Sequence, residues 1–326
     1  MLTPTQIRQI TALMHREVVP ATGCTEPAAV ALAVAYASAQ TTAEPRSIEV
    51  LLSGNMLKNA MGVGIPGTGT FGIPIAIALG AILAAPEKQL ELLDTFTEEE
   101  LQRAKALTKT ECIEVGLKEG DGIDRLHIEV RLTDTEGHVA RSVIKATHTG
   151  LTELSLDGVD RMGLRQEAVA QEACTEETTE EEPIALTFDL VYGYALEAPL
   201  EEISFIYEAA LQNKRASEFS LAHSYGHSLG KLLNSDLGQR YFGNTPLTRM
   251  LAYTSSACDA RMDGAPITVM SNSGSGNQGI SSMLPVLTFA EEQGADLEQT
   301  TRAIMMSSLL VVYIKQLLGR LSCLCG

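Results

Sequence analysis

The stretch "MSNSGSGNQGI" (270–280) crowds Asn272, Ser273, Ser275, Asn277 and Gln278 among Gly274, Gly276 and Gly279, immediately before a helical pattern. Backbone N–H groups left open at a helix N-terminus attract a carboxylate or phosphate, and neutral amides and hydroxyls would orient it. A plain flexible loop has no need of so many neutral donors beside the apolar "PITVM". Just upstream, "ARMDGAP" supplies Arg261, whose planar fork suits a carboxylate. Asp263 offers the competing reading, a pair closed between Arg261 and Asp263 themselves.

Two further constellations carry chemistry. In "SGNMLKNAMGVGIPGTG" (53–69), Asn55, Lys58 and Asn59 are set among apolar residues. Lys58 could hold a carboxylate or act as a base, or it could be a surface lysine that lays its stem along apolar surface. In "PATGCTEPA" (20–28), Cys24 stands just before a helix start, where the helix dipole favours a thiolate suited to metal ligation or nucleophilic attack. A buried, inert cysteine is the alternative, and Pro20, Gly23, Glu26 and Pro27 around the turn favour function. Cys323 and Cys325, spaced C-x-C near the end of the chain, suit cluster or zinc ligation.

Other residues give less. His223 and His227 are four apart without a third ligand nearby, and Gly226 weakens any helix between them. His148 in "ATHTG" reads as a structural residue or an acid/base, and Cys112, Cys174 and Cys258 are isolated. The pattern G-x-G-x-x-G occurs three times, at Gly62/Gly64/Gly67, Gly67/Gly69/Gly72 and Gly274/Gly276/Gly279. None follows a strand in a βαβ unit, and Thr70-Phe71 stands where a Walker A motif needs Lys-Ser/Thr, so a nucleotide site is poorly supported.

The elements that must position these residues read as α+β. Thr3, Pro4 and Gln6 open a capped helix with Ile7, Ile10, Met14 and Val18 on one face. Residues 28–39 form a helix apolar nearly all round, and "SIEVLLSG" alternates as a half-buried strand. An antiparallel meander is expected over 111–117, 125–133 and 139–148. The glutamate-rich 173–183 reads as a linker between an α+β region, 1–172, and a helical region, 184–326. The expectation is therefore a small antiparallel sheet with helices, followed by an all-helical half with helices near 200–214, 217–234, 245–260, 279–293 and 296–318.

Composition narrows the partners. The net charge is −17, so nucleic-acid backbones and anionic membranes would be repelled. The apolar runs 73–85 and 307–314 are too short to span a bilayer and read as buried helices. A polar, capped N-terminus argues against a secretory signal, and six cysteines without secretory context point to the cytoplasm. The closing "GRLSCLCG" leaves Leu321 and Leu324 wanting cover, which reads as an interrupted, C-terminally truncated chain.

At "TGCTEP" (22–27), 53–69, "ARMDGAPITVMSNSGSGNQGI" (260–280) and "GRLSCLCG" (319–326), the chain resembles the L-cysteine desulfidase family, relatives of the α chain of iron–sulfur L-serine dehydratases. The resemblance implies a [4Fe–4S] cluster, with Cys24 and Cys325 among its ligands, and β-elimination of L-cysteine to pyruvate, ammonia and hydrogen sulfide. It assigns the substrate carboxylate to Arg261 and the loop, with Asn55 alongside, and a base role to Lys58. L-Serine is the alternative substrate, a non-catalytic amino-acid-binding protein the alternative class, and a homodimer one assembly it allows.

Overall fold

Thr3 and Gln6 close the expected capping box at the start of α1 (Pro4–Glu17), and Ile10, Leu13 and Met14 are buried along it. After β1 (Pro20–Thr22) the chain leaves this unit, because residues Met1–Gly23 fold with Glu180–Gly326 while Cys24–Thr179 form a second compact unit. The first helix therefore belongs with the C-terminal half and not with the 1–172 sheet region. The computed structural model describes residues 2–163 and 184–318, so the linker expected at 173–183 lies outside the described residues.

The Cys24–Thr179 unit is built on α2 (Thr25–Ser38), β2 (Pro45–Leu52), α3 (Gly54–Ala60), the hairpin β3 (Gly64–Ile65) and β4 (Thr70–Phe71), α4 (Ile73–Leu83) and α5 (Glu98–Leu107). The strands β5 (Ile113–Leu117), β6 (His127–Asp134), β7 (Val139–Lys145), β8 (Leu151–Leu156) and β9 (Val159–Asp160) complete it. The sheet order is β5-β2-β6-β7-β8-β9. It is larger than expected and mixed, since β2 inserts between β5 and β6 and pairs parallel with β5. The helices between β2 and β5 supply the long crossover that a parallel pair requires.

Ile48, Val50 and Leu52, with Ile128, Val130 and Leu132, are fully buried, while Glu49, Glu129 and Arg131 alternate onto the other face. α2 packs on the buried face and also against α4. Every residue of α2 from Pro27 to Ser38 is buried, as its apolar circumference demands. Within the apolar packing, Ser142 Oγ donates to Ala33 O at 2.6 Å, and Ser38 Oγ donates to Ala81 O at 2.8 Å.

The other unit holds α6 (Phe188–Glu197), α7 (Leu200–Ile203), α8 (Phe205–Ala222), α9 (Leu229–Leu233), α10 (Asp236–Phe242), α11 (Pro246–Met262), α12 (Gly276–Gln293) and α13 (Leu297–Leu318); all but α9 and α10 surround one apolar core with α1. This half is not all-helical: β10 (Thr268–Met270) pairs antiparallel with β1. The helix expected over 217–234 is broken after Ala222, because carboxylates on α11 and at its end capture backbone N–H groups of the connecting turn. α13 runs 22 residues, so the apolar run judged too short is part of a helix long and apolar enough to cross a membrane by length and composition. Ile304, Met305, Leu309 and Val312, on one side of it, join the core.

Candidate functional site

The motif 270–280 begins on β10 and ends in α12, and its backbone is fixed at each step. Asn213, fully buried on α8, accepts from Met270 N at 2.7 Å and donates from Nδ2 to Met270 O at 3.1 Å, clamping the residue that leads into the loop. Ser271 donates from both N and Oγ to Val19 O at 2.8 Å, and Ser273 N donates to Glu17 O at 3.0 Å. Asn272 and Ser275 exchange backbone bonds at 3.0 Å, closing a two-residue turn in which Ser273 has φ 50° and Gly274 φ 80°. Two successive positive φ values are the mark of a type I′ turn, which favours glycine at its second position. Asn272 Nδ2 donates to Ser308 O and Ser273 Oγ to Asn272 Oδ1, each at 2.9 Å, so both side chains hold the loop. Ser275 then caps α12 by accepting from Gln278 N.

Arg261 sits in the last turn of α11, 5% exposed, with its Nη1 donating to Asn277 Oδ1 at 3.0 Å. A Cβ on Gly276 would lie 2.3 Å from Arg261 Nε, so glycine at the first residue of α12 is what lets the guanidinium lie there. Arg261 does not pair with Asp263. The Asp263 carboxylate accepts from Gly226 N at 2.9 Å, and Asp259 accepts from His227 N and Leu229 N. Among the described residues Arg261 has no acidic partner, and its Nε is enclosed without an acceptor. A buried cation without a counter-charge is costly, and here it stands beside the positive end of an 18-residue helix. The enclosed Oε1 of Gln278 likewise has no donor among the described residues. The arrangement presents an unused cationic donor and an unused neutral acceptor.

Cys24, Asn55, Lys58 and Asn59 lie in the Cys24–Thr179 unit. Cys24 is the N-cap of α2 without a capping side-chain bond; its Sγ donates to Glu26 Oε2 at 2.8 Å, and Asn59 Nδ2 donates to Glu26 Oε1 at 3.2 Å. Lys58 is exposed on α3 and Asn55 half-buried. The glycines at 62–72 form the β3–β4 hairpin and no phosphate loop. His148 sits in the turn between β7 and β8, and His223 and His227 fall in a turn, not on one helix.

The cysteines test the expected cluster. Among the described residues no three His, Cys, Asp or Glu side chains come together to hold a metal ion. Burial pushes the Cys258 thiol up to about 11, against a nearby Arg261, and also raises Cys112, so both are held as neutral thiols. Cys24, Cys112 and Cys258, the cysteines among the described residues, do not gather at one metal-holding group. Cys174, Cys323 and Cys325, and with them the expectation built on "GRLSCLCG", lie outside the described residues.

Sequence reasoning missed Asn213. Its signal was a single amide on a helix face otherwise lined by Ala209, Ala210, Ala216 and Ser217, where an unpaired polar group would be costly.

A loop of amides and hydroxyls thus stands beside a buried arginine that has no acidic partner among the described residues. Residues 87–326 match the family model described as the serine dehydratase alpha chain. The chain is 53% identical over 324 residues to a UPF0597 protein of Porphyromonas gingivalis, spanning 99% of this chain and 74% of the relative. A UPF0597 protein of Parabacteroides distasonis is 49% identical over 98% of this chain and 72% of its own. One of Oleidesulfovibrio alaskensis is 40% identical over 100% of this chain and 74% of its own. The chain belongs to the serine dehydratase alpha-chain family and to the UPF0597 proteins. No solved structure matches it.

Proposed function

We propose that the protein is an amino-acid lyase of the serine dehydratase type, acting on L-cysteine or L-serine in the cytoplasm, with L-cysteine the preferred substrate. The observation that carries this reading is the buried guanidinium of Arg261, beside the start of α12 and without an acidic partner among the described residues. A substrate carboxylate would supply the missing counter-charge, and the α12 N-terminus would add to the attraction. Asn277 orients the guanidinium through its Oδ1, and the Gln278 carbonyl is an acceptor for the substrate ammonium. Asn272 and Ser273 hold the turn rather than the ligand. The base role of Lys58 rests on the motif resemblance; within the same Cys24–Thr179 unit, Cys24 Sγ donates to Glu26, whose carboxylate also accepts from Asn59.

The reaction balances as L-cysteine plus water giving pyruvate, ammonia and hydrogen sulfide; L-serine gives pyruvate and ammonia with no net water. Family membership supports the lyase class. The choice of L-cysteine rests on the motif resemblance. The test is to purify the chain anaerobically with iron and sulfide and to follow pyruvate and sulfide from each substrate. Asn277→Ala should raise KM for both about tenfold, the loss of one hydrogen bond to a charged group. Pyruvate without sulfide preference would leave serine as the substrate, and unchanged KM in Asn277→Ala would remove the loop from the site.

A further inference from the structure

The open face of the six-stranded sheet carries charges that the reading above does not use. Cross-strand register sets Glu49 opposite Arg131, Arg131 opposite Arg141, and Arg141 opposite Ser155. Like charges directly opposed on neighbouring strands destabilise a sheet unless they are compensated. Arg141 is compensated twice: Nη2 lies 2.9 Å from Glu129 Oε1, and Nη1 meets Glu153. Glu129 is further held by Lys118 Nζ at 2.7 Å. Burial works against its ionisation, but the hydrogen bonds and charges of Lys118 and Arg141 prevail and hold its carboxyl at about 2. That cluster is closed.

Arg131 and Glu49 are not closed. They are register partners, yet among the described residues neither forms an ion pair or hydrogen bond with the other or with any other group. Their side chains instead line a pocket of about 430 Å³, with Glu129 and Arg141 also in its lining and Leu51 and Val139 as its apolar surfaces. The pocket thus offers one uncommitted cation, one uncommitted anion, and an apolar wall.

The geometry points to a binding site for a small zwitterion of the α-amino-acid class, its carboxylate on Arg131, its ammonium on Glu49 and its side chain on Leu51 and Val139. Guanidinium and carboxylate complement the two ends of such a ligand by charge-assisted hydrogen bonds. On an open face these contacts are weakened by water, so affinity should be on the order of millimolar. The site lies wholly in the Cys24–Thr179 unit, whereas Arg261 belongs to the other, and the proposal does not depend on the lyase reading.

The experiment is a titration of the intact chain with L-valine, read by saturation-transfer NMR, beside isovalerate and isobutylamine, which each carry half of the ligand's charge. L-Valine should bind saturably, and more tightly than either half. Arg131→Ala and Glu49→Gln should each weaken it about tenfold, roughly the value of one such contact. Both residues are exposed, so the variants should keep the wild-type circular dichroism. In an Arg261→Met background, L-valine should still bind saturably, and Arg131→Ala should still weaken it about tenfold. The proposal fails if wild type shows no saturable binding, if Arg131→Ala binds undiminished, or if isovalerate binds as tightly as L-valine, which would make it an anion site only. Loss of binding in Arg261→Met would also overturn it, since the titration would then be reading the other loop.

Discussion

At the scale of residues, Arg261 combines burial, a hydrogen bond to Asn277 and an Nε with no acceptor. A cation in that state is held against its desolvation cost by the surrounding packing, which is the usual condition of a binding residue without its ligand. Arg261→Met keeps much of the volume and removes the charge. We expect its unfolding free energy, from urea denaturation, to equal or exceed that of wild type by roughly 1–2 kcal/mol. L-Serine should stabilise wild type more than the variant, because a ligand that binds the folded state raises stability by mass action. An Arg261→Met protein that is strongly destabilised, with or without L-serine, would make Arg261 a structural anchor instead.

At the scale of elements, the loop depends on α8 through Asn213. Its amide meets both polar groups of Met270, so truncation leaves a buried N–H and a buried C=O unsatisfied together. Asn213→Ala should therefore cost about 1–3 kcal/mol per orphaned group, with faster hydrogen exchange at Met270 and Ser271. Exchange in the β6–β7 pair, which lies in the other unit, should not change. Uniform loss of protection across both units would show Asn213 to act on global stability and not on the loop. Close packing sets the same constraint on α12, since a Cβ on Gly279 would lie 2.0 Å from Met270 O.

At the scale of the whole molecule, a net charge of −17 makes acid the informative perturbation, because each carboxylate held ionised by a partner opposes protonation. Glu129 is the strongest case, with its carboxyl at about 2 against an ordinary 4.5. A depressed folded value contributes stability that is fully present above the unfolded value and is lost as pH falls through the folded one. Glu129→Gln should thus be less stable than wild type at neutral pH, and the gap should close between about 4.5 and 2. His127, whose Nε2 lies 3.5 Å from Glu129 Oε2, loses in Glu129→Gln a partner that favours its charged form, so its own titration changes as well. Denaturant unfolding at a series of pH values checks this, and a gap that stays constant down to pH 2 would mean that Glu129 acts through packing.

What was legible in the sequence is local. The Thr3/Gln6 capping box, the two-fold alternation of Ile48, Val50 and Leu52, the apolar circumference of α2 and the helix start after "SNSGS" are each set by neighbours within a few residues. So was the gathering of Asn277 with Arg261, because both belong to one short motif. What only the tertiary structure decided is non-local. β2 inserts between β5 and β6, and the first 23 residues join the C-terminal half through β1 and β10, because strand pairing is chosen among distant segments of equal period. Asp259 and Asp263 break the expected helix by capturing the N–H groups of His227 and Gly226, 32 and 37 residues before them in the chain. That capture also leaves Arg261 without its sequence neighbour as counter-ion. Residue types name the groups able to hold a carboxylate; which of them stays uncommitted depends on every other partner the fold brings within reach, and sequence spacing does not encode that.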